Sequence, residues 1–182
     1  MKVLVAGGCK NGKSSYAEAL TVALADRAGV TPYYIATMRP VDEEDRARIV
    51  CHQYERSGLG FETLECHVDI SSIRWDRVLL IDSATALLAN EMFPMTGDMN
   101  LNIASKVADD LCHVLSHAQD CVVVSDSIGS DAQVFDAYTD EFRRGLAFIE
   151  RQCAQACDVV IELCAGQVVV HKGQEHLSRS LP

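Results

Sequence analysis

Short apolar runs alternate along this chain with stretches whose apolar residues recur every three or four positions, the pattern of buried strands separated by amphipathic helices. Lys2-Val3-Leu4-Val5-Ala6 predicts a first strand, and 14–27, with Tyr16, Leu20, Ala23 and Leu24 at helical spacing, a first helix. Tyr33-Tyr34-Ile35-Ala36-Thr37 predicts a second strand. Asp42 then reads as an N-cap, with Glu43, Glu44 and Asp45 complementing the first turn of a helix that runs to about Arg56. Phe61-Glu62-Thr63-Leu64-Glu65 alternates as a strand does, and Arg77-Val78-Leu79-Leu80-Ile81-Asp82 reads as a buried strand closed by a carboxylate. A short helix through Leu87, Leu88 and Met92, a loop at 93–97 and a helix carrying Ile103, Val107, Leu111 and Val114 follow. Cys121-Val122-Val123-Val124-Ser125 is a further strand, and Phe142, Leu146, Ile149, Cys153 and Ala156 mark a helix over 138–157. Strands at 159–163 and 167–171 flank a turn at Ala165-Gly166, and 173–182 reads as a loose polar tail on a single domain over 1–172.

Strands that alternate with helices predict an α/β fold: a doubly wound, mostly parallel sheet, helices on both faces, and a C-terminal β-hairpin. In such a sheet ligands bind at the carboxyl ends of the strands, where Ala6-Gly7, Thr37, Asp82 and Asp126 fall.

One of those ends carries a motif. Gly7-Gly8-Cys9-Lys10-Asn11-Gly12-Lys13-Ser14, between the first strand and the first helix, fits the phosphate-binding loop G-x-x-x-x-G-K-[ST]. The loop's backbone N–H groups would close around phosphate oxygens, Lys13 would reach the terminal phosphates, and the Ser14 hydroxyl would ligate Mg²⁺, with Ser15 beside it. The expected fold is therefore P-loop NTPase-like, with ATP or GTP as the bound species. Asp82 at the end of its apolar strand is the matching candidate to hold Mg²⁺ beside Ser14; an N-cap role for Asp82 or Ser83 is the competing reading.

Bulk properties narrow the partners. At 182 residues the chain suits one domain, and a formal charge of −10 argues against a nucleic-acid surface. The eight cysteines form no C-x-x-C pair and are expected to be reduced, mostly buried thiols; a zinc role for Cys153 with Cys157, or for Cys51 with His52, lacks a tetrahedral set. The N-terminal apolar run is too short for a signal peptide and none is long enough for a membrane span, so the expected setting is cytoplasmic, with no membrane partner.

Arg48, His52 and Arg56 stand at i, i+4 and i+8, so one helix face would carry all three. Guanidinium groups beside an imidazole favour its neutral form, which has a ring nitrogen able to attack phosphorus, and the same arginines could clamp the phosphate under attack. On spacing alone an exposed, ion-paired helix face is the favoured reading.

The segments Val5-Ala6-Gly7-Gly8, Gly12-Lys13-Ser14-Ser15-Tyr16-Ala17-Glu18, Tyr34-Ile35-Ala36-Thr37 and Arg48-Ile49-x-x-His52 together resemble the bifunctional adenosylcobinamide kinase/adenosylcobinamide-phosphate guanylyltransferase family of cobalamin biosynthesis. Thr63-x-Glu65, Leu80-Ile81-Asp82-Ser83-x-Thr85, Asn90 and the 123–129 segment extend the likeness over nearly all of 2–172. The resemblance implies ATP- or GTP-dependent phosphorylation of the aminopropanol hydroxyl of adenosylcobinamide, then transfer of GMP through a guanylylated histidine that maps to His52. It also implies a corrinoid acceptor, a homotrimer, and a contact from Glu65 to guanine or ribose. Departures gather in the C-terminal half: Asp126-Ser127-Ile128-Gly129 in place of N-E-V-G, Ala132-Gln133-Val134-Phe135 for G-x-V-P, Asp140-Glu141-Phe142-Arg143-Arg144 for R-x-F-R-D, and Glu150-Arg151 for N-Q. A P-loop kinase with another small acceptor, and a silent nucleotide-binding regulatory subunit, are the alternatives.

Overall fold

The computed structural model describes residues 1–73, 76–128 and 134–177, and all their side chains but those of Arg48 and Glu55. Its strands are β1 (Lys2–Gly7), β2 (Tyr33–Ala36), β3 (Glu62–Glu65), β4 (Leu79–Asp82), β5 (Cys121–Asp126), β6 (Val159–Cys164) and β7 (Gln167–Lys172). Its helices are α1 (Lys13–Ala28), α2 (Glu43–Arg56), α3 (Ala84–Met92), α4 (Ala104–His117), α5 (Ala137–Ala156) and α6 (Gln174–Leu177). The strands make one sheet in the order β3-β2-β4-β5-β1-β6-β7, parallel except for the β6–β7 hairpin. The strand order reverses beside β1, which is where a doubly wound sheet opens a ligand crevice.

Both faces of the sheet are covered, which is why its central strands are continuously apolar rather than alternating. Val3, Val5, Leu80, Val122 and Val124 pack with Ala17, Leu20 and Leu24 of α1. Leu4, Ile35, Ile81 and Val123 pack on the other side with Leu87 of α3, Leu111 of α4 and Leu146 and Ile149 of α5.

Local chemistry accounts for several boundaries. The Asp42 carboxylate caps α2 by accepting from Asp45 N–H at 2.9 Å, as its sequence predicts. Ser83, not Asp82, caps α3, its hydroxyl accepting from Ala86 N–H at 3.2 Å. That removes the capping reading of Asp82. Ala165 and Gly166 both take positive φ, 49° and 75°, the requirement of the two-residue hairpin that joins β6 to β7.

Two expectations change. Residue 173 does not begin a loose tail: α6 follows it and buries Leu177 in the α1-side core. A lone apolar residue has no periodicity to announce it. Residues 178–182, and with them the rest of that expected tail, lie outside the described residues, as do Gly129, Ala132 and Gln133 of the divergent segment. Of the cysteines, Cys121, Cys153 and Cys157 are buried as expected; burial pushes the thiols of Cys121, to about 12, and Cys157 up, and a hydrogen bond with Cys112 together with burial raises that of Cys153, but Cys9, Cys51 and Cys164 are exposed. None forms a disulfide, and no cysteine or histidine group could hold a metal ion among the described residues.

Candidate active site

The bend from β1 into α1 is held by its glycines and by β6. Gly7 has φ 155°, and a Cβ there would stand 2.6 Å from the Leu163 carbonyl oxygen, so no larger residue fits without displacing backbone. Gly12, at φ 89°, is the N-cap residue of α1 and supplies no side-chain cap, which leaves the first N–H groups of the helix for an anion. Asn11 turns away from that anion cradle: its Nδ2 donates to the Leu163 carbonyl, and its Oδ1 is buried without a hydrogen-bond partner among the described residues. Asn11 thus tethers the loop to β6. Cys9 and Lys10 are exposed at the loop's outer rim, Lys10 at φ 55°, and Ser14 and Ser15 open the first turn of α1.

Strand alternation puts two carboxylates on the same side as this loop. Leu80 faces α1, so Asp82, two residues on, does too; by the same count Val122, Val124 and Asp126 share that face. Asp126 pairs in register with Gly7, and its carboxylate lies 2.8 Å from Lys13 Nζ, which also donates to the Gly8 carbonyl at 2.8 Å. Lys13 is thereby held, largely buried, over the loop. Asp82 accepts from the Tyr34 hydroxyl at 2.9 Å through Oδ2. Ser14, Asp82 and Asp126 offer only hard oxygen donors, a set that fits Mg²⁺ and not a thiophilic metal.

The ends of β2, β3 and β4 are bound into one mesh. Ser83 N–H donates to the Thr37 hydroxyl at 2.6 Å, and that hydroxyl donates to the Ser83 carbonyl at 2.8 Å. Thr37 is fully buried and its hydroxyl is committed to backbone, so it supports the site from behind and is not carried forward as a nucleotide contact. Asn90 Nδ2 donates to the carbonyls of Thr37 and His67 at 2.7 and 2.9 Å, and His67 Nδ1 donates to the Thr37 carbonyl at 3.2 Å. Glu65 is exposed at the end of β3, 3.9 Å from His67 Nε2. The peptide between Asp82 and Ser83 is cis.

The cationic ladder separates. His52 lies on α2 with its side chain exposed, while the Arg48 side chain falls outside the described residues. Arg56 is buried instead of facing a phosphate: its guanidinium stacks 3.6 Å over the Tyr34 ring and lies 4.0 Å from Glu18 of α1. An aromatic face and a carboxylate satisfy that cation within the fold, so Arg56 anchors α2 and is withdrawn from the nucleotide contacts. Because α2 leads from the end of β2 back to the start of the parallel β3, His52 stands one helical turn, roughly 5.4 Å, nearer the carboxyl edge than Arg56. A cleft of about 370 Å³ opens beside this anchor, lined by Gln53, Arg56, Ser57, Gly58, Gly60, Phe61 and Thr63.

Sequence reasoning placed Asp126 at the ligand-binding edge without a role and gave none to Tyr34 or His67. Asp126 could have been given one, being a strand-end carboxylate like Asp82; Tyr34 could not, because only strand register brings its hydroxyl to Asp82. On the opposite face of β5, the Ser125 hydroxyl donates to Glu150 of α5 at 2.8 Å, and burial, reinforced by the charges of Asp126 and Glu162, pushes the Glu150 carboxyl up. The Asp69, Glu91 and Asp110 carboxylates also cluster, but around Lys106, whose ammonium lies 2.5, 2.6 and 3.1 Å from them; an ion pair already fills that space.

Comparison with known proteins agrees with the resemblance. The family model described as "Cobinamide kinase / cobinamide phosphate guanyltransferase" matches residues 3–170. Two relatives named "Bifunctional adenosylcobalamin biosynthesis protein CobU" are each 27% identical, from Salmonella typhimurium over 181 residues and from Escherichia coli over 184; each alignment covers 91% of this chain and 97% of the relative. Among solved structures, the ATPase domain of G40P superposes with a TM-score of 0.57 at 12% identity, covering 96% of this chain and 77% of that one. A KaiC-like protein, PH0186 from Pyrococcus horikoshii OT3, gives 0.53 at 16% identity, covering 96% and 79%. Those structures share the P-loop NTPase fold with this chain; at such identity they speak to the fold alone.

Proposed function

The chain belongs to the cobinamide kinase/cobinamide phosphate guanyltransferase family, and from that premise we propose that it phosphorylates the aminopropanol hydroxyl of adenosylcobinamide and then transfers GMP from GTP through His52. The observation that carries the reading is the convergence of Lys13, Ser14, Asp82 and Asp126 on one face of the sheet, at the open N-terminus of α1.

In the first reaction the acceptor oxygen forms a bond to the terminal phosphorus as the bond to the leaving nucleoside diphosphate breaks. Phosphoryl transfer asks the protein mainly for position and charge neutralisation. The N–H groups of the loop and of α1 receive the phosphate oxygens, Lys13 neutralises the transferring group, and Asp126 sets where that ammonium waits. Mg²⁺, held by Ser14 and Asp82, would supply further neutralisation of the phosphate charge. In the second reaction a ring nitrogen of His52 attacks the α-phosphorus of GTP and pyrophosphate leaves. The acceptor's phosphate oxygen then takes the GMP and returns the imidazole. Transfer through a side chain splits one difficult displacement into two.

GTP labelled in the α-phosphate tests this. The expected result is an acid-labile, base-stable protein adduct that is absent in His52→Ala and discharged by adenosylcobinamide phosphate. No adduct in the wild type under any condition overturns guanylyl transfer; acceptor-dependent GTP or ATP consumption by that same adduct-free wild type would then leave a kinase alone.

A further inference from the structure

Asp82 does not stand alone at the end of β4. The Tyr34 hydroxyl donates to its Oδ2 at 2.9 Å, and that is its one side-chain partner among the described residues. The phenol is placed by packing on three sides. Its ring lies beside Leu80 in the sheet register, Phe61 meets it edge-on at 6.0 Å between centroids, and the Arg56 guanidinium covers its face at 3.6 Å. Arg56 in turn lies 4.0 Å from Glu18, on the helix that carries Ser14. Tyr34 is 6% exposed, so its ring is held by packing within the fold.

We propose that Tyr34 is the positioning residue for the metal-binding carboxylate: its hydroxyl takes up Oδ2 of Asp82 and so presents Oδ1 to a divalent cation at Ser14. The physical reason is entropic as well as electrostatic. A carboxylate that already has one oxygen committed loses less rotational freedom when a cation arrives, and a part-buried, charge-assisted hydrogen bond favours one rotamer. Tyr34 touches neither nucleotide nor acceptor in this scheme; it acts through Asp82. The inference rests on the metal role proposed for Asp82, and the experiment separates the two.

Binding of a fluorescent GTP analogue is followed as Mg²⁺ is titrated, with no turnover required. In the wild type, affinity rises with Mg²⁺. Asp82→Asn is expected to abolish that rise. Tyr34→Phe, which keeps the ring and its stacking, is expected to need roughly tenfold more Mg²⁺ for the half-maximal effect, with affinity in EDTA unchanged. If Asp82→Asn keeps the full Mg²⁺ response, the metal role of Asp82 falls. If Asp82→Asn loses it while Tyr34→Phe overlays the wild type, the positioning role of Tyr34 is overturned.

Discussion

The bend at Gly7 offers the sharpest mechanical test, because its neighbour Gly8 is a built-in control. A methyl group added at Gly7 would stand 2.6 Å from the Leu163 carbonyl oxygen and 2.8 Å from Asn11 Nδ2, at φ 155°. Asn11 is the flexible partner, but it is itself bound to that same carbonyl, and the carbonyl belongs to a strand paired with β1 over its length. Neither obstacle can yield without loosening the loop from β6. A side chain forced into such a backbone region costs of order 1–3 kcal/mol, and the overlap adds to it. Gly7→Ala should therefore lose at least about 2 kcal/mol, which for a domain of this size lowers Tm by roughly 4–8 °C. At Gly8 the nearest atom to an added Cβ is Asn11 Nδ2 at 3.8 Å, an ordinary contact, so Gly8→Ala should stay within about 0.5 kcal/mol of the wild type. Thermal unfolding of the two variants side by side reads the difference, and a GTP-analogue titration reads whether the displaced loop still closes on phosphate. Gly7→Ala melting within a degree of Gly8→Ala would refute the claim that β6 backs the loop rigidly.

Two more outcomes follow from titrating groups. Glu150 has its carboxyl pushed up by burial, so its ionisation opposes folding: the stability it contributes is present at low pH and is lost as pH rises through its raised pKa. Glu150→Gln, which can still accept from Ser125, should raise Tm at pH 7.5, with the gain shrinking toward zero in acid; a gain independent of pH would show that charge is not the cause. The half-buried Cys112 thiol is pushed down to about 7 by a hydrogen bond from Cys153. Peptide mapping after brief iodoacetamide treatment at pH 7 should find Cys112 carboxamidomethylated, and Cys153→Ala should slow that modification several-fold; an unchanged rate would refute the thiol pair.

Family membership and the loop were legible from the chain because both are local. A glycine needed for backbone approach, a lysine and a hydroxyl at fixed offsets, and an N-cap at Asp42 all act within a few residues, and apolar runs announce buried parallel strands wherever they later sit. Strand alternation sets Asp82 on the face of Leu80 and Asp126 on that of Val122 and Val124, but that α1 covers this face only the packing decided. What the chain could not announce was which groups meet across strands and between elements. Arg56 reads as a phosphate clamp by helical spacing, yet it lies over Tyr34, because the end of α2 packs on the sheet and a buried guanidinium takes the nearest aromatic face and carboxylate. Thr37 reads as a site residue by position, yet its hydroxyl stitches β2 to the start of α3. The contact of Tyr34 with Asp82 joins residues 48 positions apart. Such partners are chosen by register and packing, where each polar group must find its complement in three dimensions, and only the folded sheet decides them.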